Sequence, residues 1–565
     1  MRLEIMPLSN RGFDWVPESL AWYEHCNQFV VLRGRRGHHE NQTRTCLANP
    51  AALLRLALST KDLPFCFQEM EMSESPLKTR VPRSKTGVPG LDDILKGGLI
   101  SHRLYLVDGD PGAGKTTLSL QFLLEGVRAG EKCLYITLSE TKEELSAGAA
   151  SHDWSLAGIE IVELIAEAKD LDSDSQVTMY HPSEVELNET TNKVLAAVER
   201  INPSRVVFDS LSELRLLAQS SLRYRRQILA LKQFFVGRNC TVLLLDDRTS
   251  EGSDLQLQSI AHGVISLEQL APIYGAERRR LRVMKFRGTS FRGGYHDFAI
   301  REAGLIVFPR LVASEHNEPF TRERIKSGVM ALDALLGGGP DRGTSTLLMG
   351  PAGSGKSTIA VQYAVAAAAR GDHAAIFAFD ESLATLEARS NALGIKFKEG
   401  TQAGEVTVQQ VDPAELSPGE FAWLVRECVE KHNARVVVID SLNGYMNAMP
   451  EEQFLTAQLH ELLTYLGRRG VTTLMVVAQH GMLGSMQSPI DTSYLADSVV
   501  LLRYFEYAGK VKKAISVVKK RSGAHEESIR ELRFDENGIH LSEPLVHFRG
   551  ILTGVPVEID AAKKP

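Results

Sequence analysis

The stretch from Thr86 to Thr117, TGVPGLDDILKGGLISHRLYLVDGDPGAGKTT, decides the fold, because the chain repeats it without a gap from Ser327 to Thr358 as SGVMALDALLGGGPDRGTSTLLMGPAGSGKST. Gly87 aligns with Gly328, Leu91 with Leu332, Asp92 with Asp333, Gly97 with Gly338 and Lys115 with Lys356, at a constant offset of 241 residues. The register persists to Gln121/Gln362, Gly130/Gly371 and Glu140/Glu381, and later features recur with small insertions. Self-similarity at a fixed period reveals architecture ahead of any local propensity. It implies two domains, placed at residues 81–318 and 319–556, with a short tail at 557–565. Their junction is expected in the polar stretch VASEHNEPFT, Val312 to Thr321, after a final strand at Leu305–Phe308.

Within each copy an apolar run leads into a glycine-rich loop and then a helix-like stretch: Leu104–Val107 before the first loop, Thr346–Met349 before the second. Further strands are expected at Cys133–Thr137, Arg205–Phe208 and Thr241–Leu245, with counterparts at Ala375–Phe379, Arg435–Ile439 and Thr473–Val477. Continuous apolar strands separated by helices indicate an α/β fold, a mostly parallel sheet covered on both faces. Residues 1–80 stand outside the repeat and carry the polar, basic section RGRRGHHENQTRT from Arg33 to Thr45. They are expected to be a poorly ordered N-terminal extension, with Met70 or Met72 as an alternative start; a small regulatory module is the other reading.

At 565 residues the chain is too long for one core. With 43% hydrophobic and 24% charged residues it is globular in composition. A net charge of -6 argues against a protein that grips a long nucleic acid, which needs a basic face. The six cysteines form no C-x-x-C pair and read as free thiols of a reducing compartment. Neither a leader nor a membrane-spanning run is expected, which points to the cytoplasm.

Gly109–Thr116, GDPGAGKT, and Gly350–Ser357, GPAGSGKS, both fit G-x-x-x-x-G-K-[ST]. Gly109, Gly112 and Gly114, like Gly350, Gly353 and Gly355, let successive backbone N–H groups face a polyphosphate. Lys115 or Lys356 then reaches the outer phosphates, while the Thr116 or Ser357 hydroxyl binds Mg²⁺, and Thr117 and Thr358 complete the ATP contacts. A second Mg²⁺ anchor is an aspartate ending a strand: Asp209 after RVVF and Asp440 after RVVVI, each followed by Ser-Leu. Hydrolysis also needs a carboxylate to orient or deprotonate water. Glu140 and Glu381, just beyond the next strand, are the candidates in the two copies, with Asp380 as an additional acid in the second. The competing reading of these acids is a carboxylate stabilised by a helix N-terminus.

A third repeated element is basic: Lys285-Phe286-Arg287 corresponds to Lys519-Lys520-Arg521. Residues two apart on a strand share a side, so Lys285 with Arg287, and Lys519 with Arg521, could reach a γ-phosphate of their own or of a neighbouring subunit. A solvated basic edge that blunts strand pairing is the alternative.

These motifs resemble the KaiC family of circadian-clock ATPases, with RecA-like P-loop domains, from about Lys85 to Ile559. GVPGLDDILKGGL, GDPGAGKTT, ERRRLRVMKFRGTS, SGVMALDALLGGG and IDSLNGY carry the likeness. The resemblance implies a homohexamer of two stacked rings, ATP and Mg²⁺ between neighbours, and the Lys-x-Arg strand acting in trans. It further implies slow hydrolysis in the first ring and serine/threonine autophosphorylation in the second, with Asp380 as base. The family's Ser-Thr acceptor pair, ahead of the strand matching Ala496–Leu502, corresponds to Ser493-Tyr494, with Thr492 just upstream; Ser493 and Thr492 are the candidate acceptors. Tyr494 departs from the family pattern, as does Ser139 where the first copy usually has a second acid. The end of the sequence, GILTGVPVEIDAAKKP, lacks the family's long regulatory tail, pointing to a clock-like signalling ATPase that works with other signalling proteins. Two other classes remain open: a DNA-dependent motor, suggested by Arg278, Arg279, Arg280 and Arg282 with Lys510, Lys512 and Lys513, and a scaffold holding ATP as a structural ligand.

Overall fold

A computed structural model describes residues 81–164, 182–218, 220–248, 255–272, 275–397, 404–447, 454–479, 493–553 and 556–558, with the short strand pair Leu3–Glu4 and Val31–Leu32. The rest of the N-terminal extension lies outside the described residues, as does Thr492. The chain divides into two compact units, Met1–Arg80 and Val81–Pro565, so both repeats share one unit.

In the first copy the apolar runs become β1 (Leu104–Gly109), β2 (Cys133–Thr137), β3 (Ile159–Glu163), β4 (Arg205–Asp209), β5 (Thr241–Asp247) and β6 (Gly263–Leu270). They are followed by β7 (Arg278–Phe286), β8 (Tyr295–Arg301) and β9 (Gly304–Phe308). One nine-stranded sheet results, in the order β9-β8-β7-β6-β1-β5-β4-β2-β3. It is parallel from β3 to β6 and antiparallel from β6 to β9. Helices α1 (Lys115–Arg128), α2 (Lys142–Ala150), α3 (Pro182–Ile201), α4 (Leu211–Ala218), α5 (Ser221–Phe235) and α6 (Leu255–Ile260) connect the parallel strands.

The second copy repeats this plan. Its strands are β10 (Ser345–Gly350), β11 (His373–Ala378), β12 (Val406–Gln410), β13 (Ala434–Asp440), β14 (Thr472–Ala478), β15 (Ser498–Tyr507), β16 (Lys510–Lys520), β17 (Arg530–Asp535) and β18 (Gly538–Pro544). Their order, β12-β11-β13-β14-β10-β15-β16-β17-β18, is the same topology written in the opposite direction. The helices are α7 (Lys356–Ala369), α8 (Leu383–Ala392), α9 (Pro418–Lys431), α10 (Leu442–Asn447) and α11 (Leu455–Arg468).

Each sheet separates two apolar clusters, because successive strand residues face opposite sides. Tyr105 and Val107 pack with Leu118 and Phe122 of α1, whereas Leu104 and Leu106 pack with Val194, Leu214 and Ile228 of α3, α4 and α5. Likewise Leu348 meets Ile359 and Tyr363 of α7, while Leu347 faces Phe421 and Leu459 of α9 and α11. Burial on both sides explains why the central strands read as unbroken apolar runs. Phe379, expected within a strand, falls just past the end of β11 and packs against Phe421 and Tyr445.

Candidate functional site

The phosphate loops lie where a central strand turns into a helix: β1 into α1 and β10 into α7. Gly112 and Gly114 have φ of 78° and 98°, and Gly353 and Gly355 have 74° and 105°, backbone that L side chains rarely adopt. Gly114 and Gly355 occupy the N-cap positions, leaving the first helical N–H groups open for an anion. Lys115 Nζ donates to the carbonyls of Gly109 (3.0 Å) and Asp110 (2.8 Å) and forms an ion pair with Asp247 at 2.6 Å. Lys356 Nζ donates to the Pro351 carbonyl at 2.7 Å. The position beside it that matches Asp247, at the end of β14, is Ala478.

The structure brings the expected Mg²⁺ anchors together. Thr116 Oγ1 donates to Asp209 Oδ2 at 3.4 Å, and the Ser357 hydroxyl lies near enough to Asp440 to pull its carboxyl down. Burial raises the Asp209 carboxyl above its ordinary range; Tyr135, Lys115 and Thr116 hold it down, and nearby Asp247 pushes it up. Asp440 is raised by burial as well, against the pull of Ser357, Arg389 and Lys356. The peptide bonds Asp209–Ser210 and Asp440–Ser441 are both cis. A hydroxyl beside a buried carboxylate is a hard oxygen pair of the kind Mg²⁺ takes, and a lysine together with the uncapped backbone N–H groups of a helix start suits a triphosphate. The residues present therefore fit ATP with Mg²⁺.

Glu140 precedes α2 but does not serve as its dipole acid. Thr141 is the N-cap, in a capping box with Glu144, and the acids of the first turn are Glu143 and Glu144. Glu140 is instead fixed through its backbone, its N–H donating to Thr137 Oγ1 at 3.0 Å while that hydroxyl donates to the Glu140 carbonyl at 2.7 Å. Its carboxyl is raised by burial, then by Asp209 and Glu144, and it lines a cavity of about 500 Å³ with Thr116 and Thr117. In the second copy Ser382 caps α8, and Glu381 just before it pairs with Arg389 at 2.8 Å. Asp380 accepts a hydrogen bond from Ser441.

The Lys-x-Arg residues lie at the far end of each sheet from their own phosphate loop. Lys285 is level with Val264, and Val264 with Leu106, three residues before Gly109. Lys519 is level with Val499, and Val499 with Leu347, three residues before Gly350. At about 3.3 Å per residue this is about 10 Å from the loop along the strand, in the direction away from it. Here Lys285 donates to the Gln258 and Ser259 carbonyls and Arg287 to that of Ser259. Lys519 holds the carbonyls of Ser493 and Ala496, each at 2.8 Å, and Arg521 that of Tyr494. Ser493 is half-buried on the same edge.

Three side chains at the sites were missed by sequence reasoning. Tyr135 donates to Asp209 Oδ2 at 2.5 Å from mid-strand, where a tyrosine reads as core; its counterpart in the second copy is Ile376. Asp247, at the carboxyl end of a strand beside β1, stood where parallel-sheet sites gather and was legible on that ground. Arg389, on α8 eight residues after Glu381, reaches back past the start of that helix to the carboxylate just outside it. Among the described residues no group of His, Cys, Asp and Glu forms another metal site, and no helix is long and apolar enough to cross a membrane.

Of the basic residues that suggest a DNA-dependent motor, Lys510 is exposed and the others are engaged internally. Arg278 donates to the Pro413 and Ala414 carbonyls of the second copy, Arg279 pairs with Glu277, and Arg280 with Glu268. Arg280 and Arg282 lie over Tyr295, Lys512 pairs with Glu531 and Lys513 lies over Phe534.

A sequence-family model described as ATPase: KaiC matches residues 84–312 and again 325–546. The circadian clock protein KaiC3 of Synechocystis sp. is 25% identical over 84% of this chain and 95% of its own length. The circadian clock oscillator proteins KaiC of Acaryochloris marina and Synechococcus elongatus are each 26% identical over 86% of this chain, covering 94% and 93% of their own lengths. With both sheets carrying a phosphate loop, and the match running through both, the chain belongs to the KaiC family of ATPases.

Proposed function

We propose that this protein is a signalling ATPase that binds ATP with Mg²⁺ in both copies, hydrolyses it slowly in the first and phosphorylates its own Ser493 in the second. It acts as a homohexamer whose nucleotide and phosphate state is read by other signalling proteins. The observation that carries this reading is the polarity of each copy: a phosphate loop at one end of the sheet and the Lys-x-Arg pair at the other. Head-to-tail packing in a closed ring sets the basic edge of one subunit against the phosphate loop of the next. Ser493 shares that edge with Lys519 and Arg521, so acceptor and cations arrive together at a neighbour's γ-phosphate. The relatives named as circadian clock proteins support the signalling role.

In the first copy Glu140 orients a water against the γ-phosphorus, and Lys115 stabilises the charge that develops on the phosphate oxygens. In the second copy Asp380 takes the proton of the incoming hydroxyl. The Ser493 oxygen forms the new bond to phosphorus as the bond to the β,γ-bridging oxygen breaks, leaving ADP. Mg²⁺, held by Thr116 with Asp209 or Ser357 with Asp440, supplies neutralisation of phosphate charge. Incubation with γ-labelled ATP and Mg²⁺ is expected to label Ser493 and to release free phosphate, and Asp380→Asn is expected to remove the label. Wild-type protein that releases phosphate but carries no label on Ser493 or Thr492 would reject the kinase half. Protein that binds ATP and releases no phosphate would be a scaffold.

A further inference from the structure

The two copies diverge two helical turns after the carboxylate assigned to water activation. Arg389 of α8 donates from Nη2 to Glu381 Oε2 at 2.8 Å and from Nη1 to Thr358 Oγ1 at 3.5 Å. The offset that aligns Glu140 with Glu381 and Thr117 with Thr358 places Gly148 opposite Arg389. At Gly148 an added Cβ would meet nothing within 4 Å. The space bounded there by Thr117, Glu140 and Gly148 is a cavity of about 500 Å³, whereas in the second copy the guanidinium bridges the matching groups.

We propose that Arg389 is a positioning residue that clamps Glu381, making the second site one that holds ATP with little water activation, while Gly148 leaves Glu140 free and makes the first site the hydrolytic one. A carboxylate oxygen engaged by a guanidinium is less basic and has fewer lone pairs free for water. ATP that is spared from water at the second site survives long enough for its γ-phosphoryl group to pass to a protein hydroxyl. Arg389 opposes the upward push of burial on Glu381, so its loss raises that carboxyl further. The inference rests on the proposed roles of Glu140 and Glu381 in hydrolysis.

The test is a reciprocal exchange in the full-length protein: Arg389→Gln in one variant, Gly148→Arg in the other. Gly148 lies within a helix with open space beside it, so the second variant is not expected to disturb folding. Phosphate release is read with the other site disabled by Lys115→Ala or Lys356→Ala. Arg389→Gln is expected to raise second-site release by roughly three- to tenfold, the equivalent of one partly exposed charged contact, and to move the acid limb of its pH profile upward. Gly148→Arg should lower first-site release by a similar factor. A readout without nucleotide accompanies these: carbodiimide labelling of Glu381, located by peptide mass, should increase in Arg389→Gln, and labelling of Glu140 should fall in Gly148→Arg. If the parent sites turn over ATP while both variants keep parental rates, pH profiles and labelling, the clamp is wrong. If the parent releases no phosphate at all, the proposed hydrolysis fails, and the labelling alone still decides whether Arg389 engages Glu381.

Discussion

At the scale of single residues, the two phosphate lysines occupy different electrostatic settings. Lys115 has the Asp247 carboxylate 2.6 Å away, and Lys356 has Ala478 at the matching position. Burial pushes the Lys356 ammonium down to about 8, with Asp440 only partly opposing. Below that pH the free site carries the charge a triphosphate requires; above it the charge is lost and must be restored by taking up a proton on binding. ATP affinity at the second site is therefore expected to be flat below pH 8 and to weaken as pH rises through it, by up to about tenfold per pH unit. Calorimetric titration of Lys115→Ala protein in two buffers of different ionisation enthalpy measures both the affinity and the proton uptake. An affinity that does not change across this range would show that Lys356 stays charged in the free site.

At the scale of elements, the strand-to-helix bend depends on backbone that only glycine takes readily. Gly114 and Gly355 both lie at left-handed φ, where any L residue costs about 1–2 kcal/mol. They differ in what lies beyond. An added Cβ at Gly114 would come within 2.7 Å of Ile300 Cδ1, the movable end of an aliphatic chain, whereas at Gly355 it would run into the Phe534 ring. Gly355→Ala is accordingly expected to abolish ATP binding at the second site and to destabilise more than Gly114→Ala, as read by denaturant unfolding and binding of a fluorescent ATP analogue. Equal and small effects would mean that β17 yields easily around Phe534.

At the scale of the molecule, the two copies are joined through β8 and α9. Asp297 Oδ2 accepts from the Gly419 N–H at 2.7 Å at the start of α9, Arg301 pairs with Glu420, and Phe308 meets Trp423 at 6.4 Å between ring centroids. Arg278 adds its bonds to Pro413 and Ala414. A carboxylate of one copy thus caps a helix of the other, where its charge meets the helix dipole. Asp297→Ala should cost about 1–2 kcal/mol at this junction and lower the first midpoint seen by calorimetry. An unchanged thermogram would make the junction incidental to stability.

The sequence by itself determined the duplication, the parallel strands and both phosphate loops. Their signals are local: unbroken apolar runs follow from burial on two faces, and the glycine-lysine spacing follows from the curl of one loop. That Asp209 and Asp440 each end a strand beside a phosphate loop was legible because both strand ends are followed by Ser-Leu. What only the tertiary structure decided lies in contacts between distant segments. It set Lys285 and Lys519 at the far end of the sheet from their own loops, which depends on strand register, and it engaged the arginines of β7 with carboxylates and with the second copy. It also put Tyr135 on Asp209, Asp247 on Lys115 and Arg389 on Glu381. Spacing along a chain fixes which side of an element a residue occupies, whereas its partner is fixed by which elements pack together.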